Sequence, residues 1–213
     1  MKIAVSSYSA RKISTLALTI AAASLSTTAV MAAECQINDA NTQTIMGATS
    51  NVKSAIACGS AATAGGTNDT VAIGSKANAG MNSATAVGGQ ANAAGLGSTS
   101  IGWQSKATAE RAQAFGHLAN ASGVRATAVG EAAMAGGTND TVAVGNKANA
   151  GMNSATAVGG EANAAGLGST SIGWQSKATA ERAQAFGHLA NASGVRATAV
   201  GEAAMAGGTN DTV

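Results

Sequence analysis

An all-β solenoid built from short coils is the fold class this chain predicts, and three observations predict it. Gly74, Gly88, Gly102, Gly116, Gly130, Gly145, Gly159, Gly173, Gly187 and Gly201 recur every fourteen residues, with a single step of fifteen. Each glycine follows an apolar residue, in the first five coils Ile73, Val87, Ile101, Phe115 and Val129, itself preceded by Ala or Ser. The third and fifth residues after each glycine are Ala almost throughout, as in Ala77/Ala79 and Ala91/Ala93. A repeat this short is below the size of helical repeat units and suits one coil whose neighbours stack into a continuous core.

The period-two alternation within a coil marks strands. Each coil is expected to hold two: a segment such as Thr70-Val71-Ala72-Ile73 and another such as Lys76-Ala77-Asn78-Ala79. On this reading the apolar residue before each glycine faces inward with the alanines. The freely varying positions, Lys76, Gln90, Gln104 and Leu118 among them, face outward. The glycines supply the tight corners. A helix is rejected, because a glycine in a helix interior costs about 1 kcal/mol and the chain places one at least every fourteen residues. Eleven coils stacked at the inter-strand spacing would form a rod of roughly 50 Å.

The ends differ from the array. Lys2, Arg11 and Lys12 precede an uncharged apolar run from Ile13 to Val30 and the small residues Ala32 and Ala33, the pattern of a secretory leader over residues 1–33. Residues 34–58 lack the repeat and are expected to cap the first coil, since a terminal coil exposes a face that interior coils bury. Residues 59–213 carry the coils. From Ala64 a 71-residue unit, four coils of fourteen and one of fifteen, occurs twice almost unchanged, and a third copy stops at Val213. The chain is therefore expected to continue within a longer protein.

Composition bounds the function. Aromatic residues make up 2% of the chain, proline is absent and glycine numbers 28, which argues against a broad globular core. Burial stabilises in proportion to apolar area, so a thin coil of Ala and Val calls for lateral association with further copies. Loss of the leader removes three of the twelve basic residues and leaves nine against ten acids, a balance that recommends neither nucleic acid nor an anionic membrane as partner. Export would place Cys35 and Cys58, the two cysteines of the chain, in an oxidising compartment, where a disulfide between them is the expected state. No cysteine or histidine spacing suits a metal, no nucleophile elbow or phosphate loop is present, and no cofactor is expected.

The coils Thr70-Val71-Ala72-Ile73-Gly74, Ala84-Thr85-Ala86-Val87-Gly88 and Ser98-Thr99-Ser100-Ile101-Gly102 resemble the SVAIG-type repeats of YadA-like heads in trimeric autotransporter adhesins, and the likeness runs from about Ser54 to the end. The resemblance implies a left-handed parallel β-roll that associates as a homotrimer. It also implies adhesion to host extracellular or cell-surface molecules, or to other cells, from a bacterial surface. Carried over, Ile73, Gly74, Val87, Gly88, Ile101, Gly102, Val129 and Gly130 would line the roll and its corners, with Phe115 and Gly116 in the equivalent places. Neither a heptad stalk nor the strands of an outer-membrane barrel occurs in this sequence, so contact with a membrane would need an anchor from outside this chain.

Trp103 and Trp174 follow the glycine of their coils and are the candidate partner contacts, because large aromatics on an Ala, Ser and Thr surface are efficient anchors. His117 and His188 hold equivalent places in the two units, and Glu110-Arg111 and Glu181-Arg182 read as solvated pairs at turns. Thr85, Thr99, Thr127, Thr156, Thr170 and Thr198 share one coil position, which keeps an ice- or crystal-surface binder as an alternative class. The stretch Gly65-Gly66-Thr67-Asn68-Asp69-Thr70 is a poor match to a calcium-binding β-roll repeat, a further alternative, and is expected to be a looped-out corner.

Overall fold

Short alternating segments punctuated by glycine can satisfy their backbone groups only by pairing with the coils above and below, and this pairing builds the molecule. The computed structural model describes residues 33–34, 48–50 and 54–208. The chain divides into two compact units, Met1–Met31 and Ala32–Val213, and every described residue belongs to the second. The expected leader, save Ala33, and Cys35 lie outside the described residues.

Each coil contributes one strand to each of two sheets, and both sheets are twelve-stranded. The first runs from Ala33–Glu34 and Ile56–Cys58 through Val71–Ile73, Thr85–Val87, Thr99–Ile101 and Gln113–Phe115 to Thr198–Val200. The second runs from Thr49–Ser50 and Thr63–Ala64 through Asn78–Ala79 and Asn92–Ala93 to Met205–Ala206. Pairing is parallel and in register by one coil: Ala72 lies beside Ala86, Ala86 beside Ser100, and Ala79 beside Ala93. The all-β parallel roll expected from the glycine period is thus the fold. The described parts of residues 34–58 already pair in both sheets, with Ala33 beside Ile56 and Thr49 beside Thr63.

The core is narrower than the sequence suggests. Among the described residues every fully enclosed hydrophobic side chain is alanine, including Ala72, Ala77, Ala79, Ala114 and Ala128 at 0% exposure. The expectation that Ile73, Val87, Ile101, Phe115 and Val129 line the interior is corrected. Ile73 is 39% exposed, Ile101 38% and Val129 36%, while Val87 and Phe115 are half-buried. Alternation allows a strand of three either its central side chain or its two flanking ones inside. The narrow space between the sheets takes the small central Ala or Ser, and the larger residues on both sides turn out. The strands are also shorter than expected, since Thr70 and Lys76 lie outside Val71–Ile73 and Asn78–Ala79.

The alanine stack is interrupted once per unit by serine. Ser98, Ser100 and Ser105 are buried, and each hydroxyl is paired: Ser98 Oγ donates to Gly95 O at 2.8 Å, Ser100 Oγ and Ser105 Oγ share a bond of 2.7 Å, and Ser105 Oγ donates to Gly102 O at 3.0 Å. Satisfied in this way, the polar rung costs little.

The corners explain the glycine period. Gly88 has φ +128°, and a β-carbon there would lie 2.6 Å from the carbonyl oxygen of Gly102 in the next coil, so only glycine fits. Two residues on, the turn is completed in the left-handed region by residues that do carry side chains, Lys76 (φ 57°), Gln90 (φ 57°) and Gln104 (φ 54°) among them. Bonds such as Gln104 N–H to Gly89 O, 2.9 Å, hold them there.

Candidate functional site: the outer face and its two corners

With alanine filling the interior, every large side chain of the described rod is displayed outside or at a turn, and stacking arranges these side chains in columns one coil apart. On the outer face of the first sheet, the residue before each corner glycine forms an apolar column: Ile73, Val87, Ile101, Phe115 and Val129 are joined in register, and Val129 continues into Val144. Two residues earlier in each strand runs a parallel column of Val71, Thr85, Thr99, Gln113 and Thr127. The threonine ladder seen in the sequence therefore shares a face with exposed Ile and Val, and Gln113 interrupts it.

The residue after each corner glycine forms the next column, in which successive side chains are Ser75, Gly89, Trp103, His117 and Glu131, then Asn146, Gly160, Trp174, His188 and Glu202. Trp103 and His117 stack with ring centroids 5.0 Å apart and planes 29° apart, and Trp174 and His188 repeat this geometry. His117 Nδ1 lies 3.4 Å from Glu131 Oε1, and Asn146 Nδ2 donates to Glu131 Oε2 at 3.4 Å. Trp103 is 48% exposed and Trp174 51%, so the indoles remain half open to solvent. Alongside, Gln104 Nε2 donates to Gln90 Oε1 at 3.1 Å, and Gln175 Nε2 to Glu161 Oε2 at 2.7 Å. The sequence marked each tryptophan and each histidine separately. Their separation of fourteen residues, one coil, is the signal that joins them.

The opposite corner carries charge. Glu110 and Arg111 form the expected exposed pair, at 3.7 Å. A tighter pair was not anticipated: Arg125 Nε and Nη2 donate to Asp140 Oδ1 and Oδ2 at 2.6 and 2.7 Å. This two-pronged bond, aided by the guanidinium charge, holds the Asp140 carboxyl below the usual aspartate range and raises Arg125. The residues are fifteen apart, not fourteen, because the long coil lies between them. The same coil contains the looped-out corner read from the sequence. Thr138 Oγ1 and Asn139 N–H both donate to Asn153 Oδ1 at 2.6 Å, and in the first unit Thr67 N–H and Oγ1 bond Asn82 Oδ1 at 2.6 and 2.7 Å. An asparagine from the following coil thus bonds this loop in both units. Among the described residues no group of three His, Cys, Asp or Glu side chains could hold a metal ion.

A stack of two-strand coils with alanine inside, corner glycines at φ near +130° and an outward-facing column of Ile, Val and Phe defines a parallel β-roll. Comparison with known proteins places it further. The family described as YadA head domain repeat (2 copies) matches in eight stretches, 79–105, 93–119, 107–131, 121–148, 150–176, 164–190, 178–204 and 192–212. The chain belongs to the YadA head repeat family. Among solved structures it is similar to the collagen-binding domain of the Yersinia adhesin YadA, with 23% identity over 68% of this chain and 64% of that one and a TM-score of 0.31. The chain thus spans somewhat under two thirds of that domain. Comparison with curated protein sequences finds no match.

Proposed function

We propose that this rod is the head of an exported homotrimeric adhesin that presents its surface to host extracellular or cell-surface molecules. Membership of the YadA head family supports an adhesin-like role. The observation that carries the trimer is the exposed apolar column. Ile73, Ile101, Val129 and Ile172 stand 36 to 39% exposed on one face, while the core behind them holds no hydrophobic side chain larger than alanine. A monomer with this distribution leaves its best apolar surface in water. Packing these columns against each other would bury that surface and support the thin coils. Parallel copies would also present every site several times and turn weak contacts into avidity. The partners of such a head are other copies of itself and molecules on the surface being colonised, and nothing in its charge suits nucleic acid.

Sedimentation equilibrium of the exported chain tests the assembly, and adhesion of beads coated with it to matrix proteins and cultured host cells tests the activity. A trimer that retains beads on either substrate is the expected result. A stable monomer with thermal hysteresis activity would overturn this reading and move the threonine ladder to an ice- or crystal-binding role.

A further inference from the structure

One level of each 71-residue unit leaves a gap in the corner column. Gly89 stands between Ser75 and Trp103, and Gly160 between Asn146 and Trp174. A β-carbon built on Gly160 would meet only Trp174, Cδ1 at 3.0 Å and Nε1 at 3.6 Å, with no other atom within 4 Å. At Gly89 the nearest atoms would be Trp103 Cδ1 at 3.1 Å, Nε1 at 3.6 Å and the Ser75 carbonyl at 4.0 Å. Neither glycine has a positive φ, so the backbone does not require glycine there. What glycine achieves is an indole whose side toward the preceding coil has no neighbouring side chain in its column, while His117 or His188 stacks on the other side. Next to each gap stands a polar pair, Gln90 with Gln104 and Glu161 with Gln175, whose mutual bond engages one atom of each group.

We infer that the two gaps are saccharide subsites, each taking one pyranose ring of a glycan. The electron-rich indole face attracts the weakly positive C–H bonds of a sugar ring, and the histidine behind it holds the indole in orientation. The amides of Gln90 and Gln104, or the carboxylate of Glu161 and the amide of Gln175, both donate and accept or accept strongly, as ring hydroxyls require. An apolar plate beside a few placed polar groups is the general form of a small-ligand site. Lys76, Gln90 and Gln104 follow the corner column on its side away from the apolar column and line the subsites with polar groups. The two subsites lie five coils apart, about 24 Å along the rod, so one extended glycan chain could reach both. This deepens the adhesive reading and rests on it for its biological setting, though sugar binding itself is measurable without it.

The chain contains two tryptophans, one beside each gap, so intrinsic tryptophan fluorescence reports on these sites alone. The test titrates the assembled protein with neutral and acidic hexose and N-acetylhexosamine oligosaccharides. A saturable shift in emission with at least one of them is expected, and at least a tenfold loss of affinity in Gly89→Leu/Gly160→Leu, whose side chains fill the gaps. Trp103→Ala/Trp174→Ala, followed by calorimetry, should lose the same binding with an unchanged far-ultraviolet spectrum. Silence across the panel, or binding that both variants keep, overturns the inference. Cell adhesion that survives removal of surface glycans and persists in the tryptophan variant overturns it while leaving the adhesive reading in place. Loss of all adhesion by the unmodified protein, with sugar binding intact, counts against the adhesive reading alone.

Discussion

Trp103 and His117 stand one coil apart with their rings stacked at 5.0 Å, and the imidazole of His117 reaches on to Glu131 at 3.4 Å. The link between them is made by stacking and not by the local chain, so its removal should be felt at the indole and hardly at all in the fold. His117→Ala/His188→Ala is expected to shift tryptophan emission to longer wavelength as both faces become hydrated. It should cost no more than about 1 kcal/mol per ring pair. Steady-state fluorescence and a thermal melt check the two statements together.

Ile101 and Ala114 sit on adjacent coils but on opposite sides of the sheet. A carboxylate at Ala114 would be buried without a partner, so Ala114→Asp should prevent folding of the neighbouring coils, a penalty of several kcal/mol. Ile101→Asp places its charge on the outer face. The β circular-dichroism signal should survive while sedimentation reports dissociated chains. Loss of the β signal in both variants would discredit the separation of faces.

Gly88 meets the Gly102 carbonyl too closely for any β-carbon. Gly88→Ala combines a steric clash with an unfavourable φ and is expected to destabilise by about 3 kcal/mol or more. Gly89→Ala, one residue on, has no φ penalty and should change the melting temperature far less.

Arg125 and Asp140 predict a dependence on acid. Because the folded carboxyl is held below its ordinary value, its contribution is complete above the unfolded aspartate pKa and is lost as pH falls through the folded one. Arg125→Met should return the Asp140 carboxyl to the ordinary aspartate range in a carbon-detected NMR titration. It should have little effect on the melting temperature at neutral pH, since the pair is solvent-exposed.

We propose that Cys35 and Cys58 pair. Glu34 registers with Ala57, one residue short of each cysteine. Such a bridge would close the first coil and stabilise it by about 3 kcal/mol. Peptide mapping without reductant should recover the linked peptides, and a reductant should lower the first unfolding temperature.

Period and composition were enough to establish a parallel β-roll of fourteen-residue coils, because a glycine that no side chain can replace recurs at each corner and strand pairing must repeat with it. The inward placement of Ala77 and Ala79 was equally legible, since alternation within a short strand has only two phases. The phase of the other strand was not. Ile73 and Ala72 alternate as well as Ala72 and Val71 do, and hydrophobicity alone favours burying the larger residue. Only the closeness of the two sheets, which places Ala or Ser at the centre of each strand, decided that Ile73, Val87 and Ile101 face out. The stacked columns were likewise settled in three dimensions. Trp103 on His117 and Arg125 on Asp140 lie one coil apart in space and fourteen or fifteen residues apart in the chain, a relation that exists once the coils have closed upon each other.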